Sequence, residues 1–102
     1  MALGAVSPFR ATGTVSLNAG TSSVSVALTG GGESVVVTNT TDSLAFVRFG
    51  ADPSVNASRS DMPVLPNTRV MLCINQLVGY AAGVLASGSG SLLFTRGDGS
   101  FV

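Results

Sequence analysis

Five carboxylates are the side chains in this sequence that could act as general acids or bases. The sequence shows no further group that would complete a catalytic site with them. The 102-residue chain contains no histidine and no lysine, so the usual general bases, Schiff-base formers and zinc ligands are missing. The carboxylates lack the spacing of an acid/base pair or a calcium loop; they are Glu33, Asp42, Asp52, Asp61 and Asp98. We therefore expect no enzymatic activity, no bound metal and no cofactor.

Several short motifs have simpler explanations than the functions they suggest. The glycine-rich "TGGGES" at 29–34 has no following lysine, so it predicts a turn between strands and not a phosphate loop. The triplet "RGD" at Arg96–Asp98 matches the tripeptide that integrins recognise, but it also fits a turn that ends the last strand. Cys73 is the single cysteine, and its setting in "VMLCI" predicts a buried small hydrophobe.

The composition indicates a surface that other protein covers. Ten per cent of the residues are charged, the formal net charge is zero, and 45% are hydrophobic, with a mean hydropathy of +0.51. An ordinary domain has about a quarter of its residues charged, so part of the apolar surface should lie against a partner or against copies of the chain. The lack of surplus basic charge argues against nucleic acid as a ligand.

Neither a membrane span nor a secretory signal is expected. The longest uncharged apolar stretch, 70–86, is interrupted by Asn75 and Gln76 and punctuated by Gly79 and Gly83, which favours two core strands over a spanning helix. The opening "MALGAVSPFRATG" lacks a basic start and a continuous apolar core.

Short β-branched runs between turn residues predict an all-β fold of about eight strands. Two packed antiparallel sheets, a jelly-roll-like β-sandwich, are the expected arrangement. We predict one domain over 13–102, preceded by an arm over 1–12 whose apolar part, 1–10, lies across a neighbour or is disordered alone. The predicted strands are 13–17, 23–28, 34–39, 44–49, 61–65, 69–74, 79–86 and 91–96.

The strand 44–49 raises the question of what its arginine does. Alternation places Ala45, Val47 and Phe49 on one face, the predicted core face, and Leu44, Phe46 and Arg48 on the other. A face that mixes apolar side chains with arginine is common where two proteins meet. The alternative is an exposed strand whose arginine pairs with Asp61 or Asp52 of the same chain.

Three segments resemble small structural proteins of tailed bacteriophages and prophages: "VVVTNTTDSLAFVRFGADPSV", "DMPVLPNTRVMLCI" and "GYAAGVLASGSGSLLFTRGDG". In that group a Val-x-Asn strand leads to a Phe-Val-x-Phe-Gly strand, then a Pro-x-x-Pro-like turn and a final Gly-Asp/Glu-Gly. The resemblance covers about the last two-thirds of the chain. The matching positions are Val37, Asn39, Phe46, Val47, Phe49, Gly50, Pro63, Pro66, Gly97, Asp98 and Gly99.

The resemblance implies a virion protein, of the decoration or cement type that binds and stabilises the capsid shell. Its partner would be the major capsid protein lattice or another virion protein, and the chain would form a homo-oligomer, with a trimer favoured. It would be assembled in the host bacterial cytoplasm and lie on the capsid surface, contacting neither nucleic acid nor membrane. The predicted contact residues are Phe9, Arg10, Leu44, Phe46 and Arg48.

Two alternatives stay open at this point. A tail or head-to-tail connector subunit would have the same sequence features and differ in its partner. A carbohydrate- or receptor-binding module is also compatible with a jelly roll, but sugar sites usually present an exposed aromatic platform. This chain has no tryptophan and a single tyrosine, Tyr80, in an apolar strand.

Overall fold

Strands form at all eight predicted places, because each place combines β-branched or aromatic residues with glycine, asparagine, serine or proline at its ends. The computed structural model describes residues 10–74 and 77–98. None of these residues belongs to a helix long and apolar enough to cross a membrane. The strands are β1 (Arg10–Ala19), β2 (Val24–Ala27), β3 (Ser34–Asn39), β4 (Ala45–Gly50), β5 (Met62–Val64), β6 (Thr68–Cys73), β7 (Tyr80–Leu85) and β8 (Gly90–Asp98).

The strands form two four-stranded antiparallel sheets. Sheet 1 has the order β1-β8-β3-β6, and sheet 2 has the order β2-β7-β4-β5. Every connection passes from one sheet to the other except that between β4 and β5, which are neighbours in sheet 2. This strand order and connectivity are those of an eight-stranded jelly roll. The predicted all-β sandwich is confirmed.

The core lies between the two sheets and follows the alternation of side chains along the strands. Ala45 and Val47 are at most 1% exposed, and Phe49 packs against the same cluster, so the predicted core face of β4 is confirmed. The rings of Phe49 and Phe94 meet edge to face with centroids 5.9 Å apart, a favourable aromatic arrangement. The fully buried cluster is Leu17, Ala19, Val35, Val37, Ala45, Val47, Val64, Ala81, Leu85, Leu92 and Phe94.

The connections lie at two opposite ends of the sandwich. The loops after β1, β3, β5 and β7 share one end, and the loops after β2, β4 and β6 share the other, where Arg10 and Asp98 pair in register. In the β2–β3 loop Gly32 has φ +119°, and a Cβ there would meet the Gly97 carbonyl oxygen. Glycine is required at this position because both the backbone conformation and the close approach exclude a side chain.

The first strand begins three residues before the predicted domain boundary at 13. Arg10 and Ala11 pair with Asp98 and Gly97 of β8, and the register shifts around Thr12. The Thr12 hydroxyl accepts a hydrogen bond from the Gly31 N–H (3.0 Å) and donates to the Gly31 carbonyl (2.6 Å). Residues 10–12, which the sequence assigned to the arm, therefore belong to the sheet.

The prediction that Cys73 is buried is wrong. The thiol is exposed because β6 is an edge strand of sheet 1 and Cys73 is its last residue. Val70 and Leu72 alternate with it and pack toward the core, so Cys73 points to the outer face of the sheet. An apolar run alone does not distinguish a central strand from an edge strand.

Candidate interaction surface

The outer face of sheet 2 carries three of the predicted contact residues, and a loop of the same chain covers much of it. This covering loop runs over 51–61, between β4 and β5. Phe46 packs with Val55 and Ala57 of the loop, over Ala82 and Val84 of β7. A second, smaller apolar cluster therefore lies outside the main core, and most of Phe46 faces its own chain.

Hydrogen bonds hold the covering loop across sheet 2. The Ala57 N–H donates to Ser23 Oγ (2.8 Å), and the Ser25 hydroxyl donates to the Pro53 carbonyl (3.2 Å). These bonds attach the loop near β2, at the edge of the sheet opposite β5.

A turn at Asp52 shapes the start of the covering loop. The Ser54 hydroxyl and the Ser54 backbone N–H both donate to Asp52 Oδ1. Hydrogen bonds from the Ser54 side chain and then from its backbone lower the pKa of the Asp52 carboxyl below its ordinary value, because they favour the ionised form. The conformation is a local Asx turn, in which the side chain bonds the backbone two residues on.

Arg48 pairs with Asp61 across the β4–β5 ladder. Arg48 Nη1 lies 3.8 Å from Asp61 Oδ1, and the two side chains are 61% and 17% exposed. The structure thus forms the intrachain pair that the sequence left as one of two alternatives. An ion pair with one partner this exposed contributes little to stability, and the guanidinium remains accessible to a partner.

An apolar area remains open where β4 meets β5. Phe46 stands opposite Pro63 in the ladder, and Leu44 and Leu65 adjoin Ala45 and Val64, the pair at its end. Pro63 is exposed and Leu65 is 63% exposed, while Leu44 and Phe46 are half-buried. We call these four residues, Leu44, Phe46, Pro63 and Leu65, the β4–β5 patch; none carries a charge, and the Arg48–Asp61 pair lies on its border.

The sequence pattern points to only half of this patch. It predicts that Pro63 and Leu65 lie in the short strand 61–65, without a surface role. The available signal was their alternation with Val64, which is fully buried and so places its two neighbours on the opposite face. The register that places Pro63 opposite Phe46 was not available from the sequence.

The predicted contact residues are spread along the sandwich. Phe9 lies outside the described residues. Arg10 is exposed at the start of β1, at the end of the sandwich that holds the β2–β3 and β6–β7 loops, whereas Leu44 is in the β3–β4 loop at the other end. Arg10 and Leu44 thus lie at opposite ends of the sandwich, whereas Arg48, in the second half of β4, is nearer to the end that holds Arg10.

The triplet Arg96–Asp98 is a part of β8 and not the turn that the sequence predicted. Arg96 is 4% exposed; its Nε donates to the Gly32 carbonyl (3.1 Å) and its Nη1 to the Val78 carbonyl. The guanidinium therefore joins the loops at this end of the sandwich from inside. An integrin ligand has to present its arginine to solvent, which this geometry prevents.

Residues 10–74 and 77–98 contain no cluster of metal-ligating side chains. No three His, Cys, Asp or Glu side chains there lie close enough together to hold a metal ion. Every buried side-chain nitrogen and oxygen in this part of the chain has a hydrogen-bond partner.

A shallow depression of about 450 Å³ lies beside β3 and β6. Its polar side chains are already engaged: Asn39 bonds Ser43, Val64 and Thr41, and the Asn67 amide donates to Asp42 Oδ1 (3.0 Å). It has no aromatic wall on which a sugar ring could stack. The lining residues are Thr38, Asn39, Thr40, Asn67, Thr68 and Arg69.

Comparisons with models of protein families, with curated proteins and with solved structures find no match to this chain.

Proposed function

We propose that this chain is a structural protein of a tailed-phage virion, of the decoration or cement type, and that the β4–β5 patch contacts the capsid shell. The observation that carries the proposal is the exposed apolar patch at Leu65 and Pro63 on a sandwich with very few charges. An uncharged apolar area bordered by an accessible arginine is typical of protein–protein contacts. The resemblance to small phage structural proteins supplies the class of partner.

The proposed mechanism is stabilisation by binding. Packaged DNA presses on the shell, and a protein that binds only the expanded lattice stabilises that state by mass action. Because a shell repeats the same site many times, modest contacts at each site add up to a durable coat, above all if the bound chains are linked as an oligomer. No covalent chemistry is needed, which agrees with the composition.

Two leucines provide a matched test. Leu65 lies in the β4–β5 patch and is 63% exposed, while Leu77 is 80% exposed in the β6–β7 loop at the opposite end of the sandwich. Both substitutions, Leu65→Ser and Leu77→Ser, remove an exposed side chain and should leave the fold intact. Binding would be measured by co-sedimentation with empty expanded heads of the phage that encodes the chain, prepared without it.

We expect Leu65→Ser to weaken binding to the heads by about tenfold or more, since burial of one leucine contributes roughly 1.5–3 kcal/mol and 1.4 kcal/mol corresponds to a factor of ten. Leu77→Ser should change it by less than about twofold, because that side chain lies outside the patch. An equal loss in both variants would exclude the patch as the contact surface. Unaltered protein that binds isolated tails or connectors but not heads would overturn the capsid assignment.

A further inference from the structure

The covering loop 51–61 lies over uncharged side chains that continue the β4–β5 patch. Ala82 and Val84 of β7, which we call the floor of the loop, are 0% and 5% exposed beneath it. Val84 stands opposite Phe46 in the β4–β7 ladder, and Phe46 stands opposite Pro63 in the β4–β5 ladder. The row Pro63–Phe46–Val84 therefore runs from open surface to a part of the same face that the loop hides.

The contact between the loop and its floor is separate from the main core. Val55 and Ala57 pack with the floor and with Phe46 in a cluster of their own. Ala81 and Leu85, which alternate with the floor residues along β7, belong to the cluster between the sheets. Departure of the loop would therefore uncover the floor without opening the contact between the two sheets.

The loop keeps its own shape through hydrogen bonds within itself. It starts with the Asx turn at Asp52. Near its end the Ser58 N–H donates to Asp61 Oδ2 (2.7 Å), and the Asp61 N–H donates to the Ser58 carbonyl (3.0 Å). These turns join near neighbours in the chain, so they do not depend on contact with sheet 2. The loop can therefore move as a preformed unit, like other compact surface loops.

The attachment of the loop to the sandwich is slight by comparison. Arg59 Nη2 donates to the Ala86 carbonyl (2.9 Å) in an exposed bond, and the bonds that fix the loop near β2 are exposed or half-buried. Ala57 is the only buried residue within 51–61. Segments with few buried apolar contacts and solvent-exposed hydrogen bonds are the ones that open locally at low free energy.

We propose that the loop 51–61 is a lid that opens while the two sheets stay folded, and that the open state adds the floor to the β4–β5 patch. The closed lid hides the floor from other copies of a chain whose formal net charge is zero. Because the floor is continuous with the patch, its occupant is the same capsid shell. The opening is a property of the chain alone, whereas the occupant rests on the proposed function.

Two adjacent alanines provide a matched test of the opening. Ala81 and Ala82 are both 0% exposed, but Ala81 faces the core and Ala82 faces the lid. Ala81→Cys and Ala82→Cys would each be combined with Cys73→Ser, which removes the exposed native thiol. The rate at which each thiol reacts with the disulfide reagent DTNB would be measured at urea concentrations below the unfolding transition, which circular dichroism locates for each variant.

The thiol at position 82 should react at least about 100-fold faster than the thiol at position 81, because it needs only the lid to open. Its rate should also rise little with urea, since opening exposes little surface. The thiol at position 81 should show the steep urea dependence of global unfolding. The same steep dependence at position 82 would mean that the lid opens only when the whole domain unfolds, and would overturn the proposal.

Gly50 of β4 allows the lid to be loosened. A Cβ at this position would lie 3.0 Å from Val55 Cβ, so a methyl group there should push the lid outward. Gly50→Ala, added to the Ala82→Cys chain, should raise its reaction rate by about fivefold or more. Gly31→Ala, where a methyl group has open space, should leave the rate unchanged. No increase with Gly50→Ala would contradict the lid.

Binding to empty expanded heads tests the occupant of the floor. Gly50→Ala in the otherwise unaltered chain should bind the heads at least about twofold more tightly, because a lid that opens more readily opposes binding less. Unchanged or weaker binding would mean that the shell does not contact the floor, against the proposal. Failure of the unaltered chain to bind heads would refute the proposed function and the shell as occupant, whereas the thiol measurement tests the lid without heads.

Discussion

Arg48 shows how one residue can satisfy two requirements. Its pairing with Asp61 at 3.8 Å explains its presence without any partner protein. Yet the side chain remains 61% exposed, and breaking so exposed an ion pair lowers the stability of the fold only slightly. The same residue can therefore sit on the border of the β4–β5 patch and contact a second protein without a penalty to the fold.

Asn39 is the polar residue on which the β3–β4 end of the sandwich depends. It is 1% exposed. Its amide donates to the carbonyls of Ser43 (2.8 Å) and Val64 (3.1 Å), and its oxygen accepts from the N–H (2.9 Å) and hydroxyl (2.7 Å) of Thr41. One side chain thus joins β3, its following turn and β5.

Asn39→Ala should lower the free energy of unfolding by about 3 kcal/mol, since each buried group left without a partner costs roughly 1–3 kcal/mol. Urea unfolding followed by circular dichroism would measure it. Asn56→Ala, at an exposed position of the covering loop, is the control and should change stability by less than about 0.5 kcal/mol. Similar losses in the two variants would show that the Asn39 bonds do not stabilise this end.

The strands themselves were largely predictable, whereas the loop 51–61 was not. Every strand begins and ends within about three residues of its predicted bounds, because alternation and turn residues are local signals. The covering loop has no such period. Its position depends on Val55 and Ala57 reaching Phe46, Ala82 and Val84, and this contact forms only once β4 and β7 are paired.

The two sheets pack so closely that a single methyl group added between them should destabilise the fold. Gly83 of β7 faces the core, and a Cβ there would come within 2.7 Å of Leu92 Cδ1. Leu92 is fully buried, so it has little room to move. Gly31, in the β2–β3 loop, has open space where a methyl group would lie, with no atom within 4 Å, and it has no positive φ.

Gly83→Ala should therefore lower the free energy of unfolding by about 1–3 kcal/mol through overpacking. Gly31→Ala should leave it unchanged or raise it by up to about 1 kcal/mol, because alanine restricts the unfolded chain. Thermal and urea unfolding of both variants would be compared. A neutral Gly83→Ala would mean that the sheets can separate slightly at no cost, contrary to the close packing of Gly83 against Leu92.

At the scale of the whole molecule, the scarcity of charge is the property that most needs an explanation. The sandwich buries its core and covers much of sheet 2, yet Val24, Met62, Leu65 and Leu77 remain 41% to 80% exposed. With zero formal net charge, little electrostatic repulsion keeps copies apart. Association of the chain with itself or with a repeating partner is the expected consequence.

Light scattering of the purified protein should give three times the 10.2 kDa mass of the chain, as expected for a decoration protein that binds as a trimer. The mass of the Leu65→Ser variant should be measured in the same way. A smaller mass would mean that the β4–β5 patch forms the contact between copies of the chain, and an unchanged mass would mean that the patch remains open to the shell. A stable monomer at all concentrations would contradict the trimer and leave the exposed apolar residues to the partner alone.

The sequence by itself determined the approximate positions of the strands and the inward and outward side chains of β4, because these follow from the local alternation of side chains. Only the tertiary structure decided which strands lie at the edges of the sheets. Cys73 is exposed because its strand, β6, is one of them. It also decided that Arg96 is buried, that Arg48 pairs with Asp61, and that Pro63 lies opposite Phe46. The physical reason is that pairing and loop docking join residues far apart in the chain, which a period of two along one strand cannot specify.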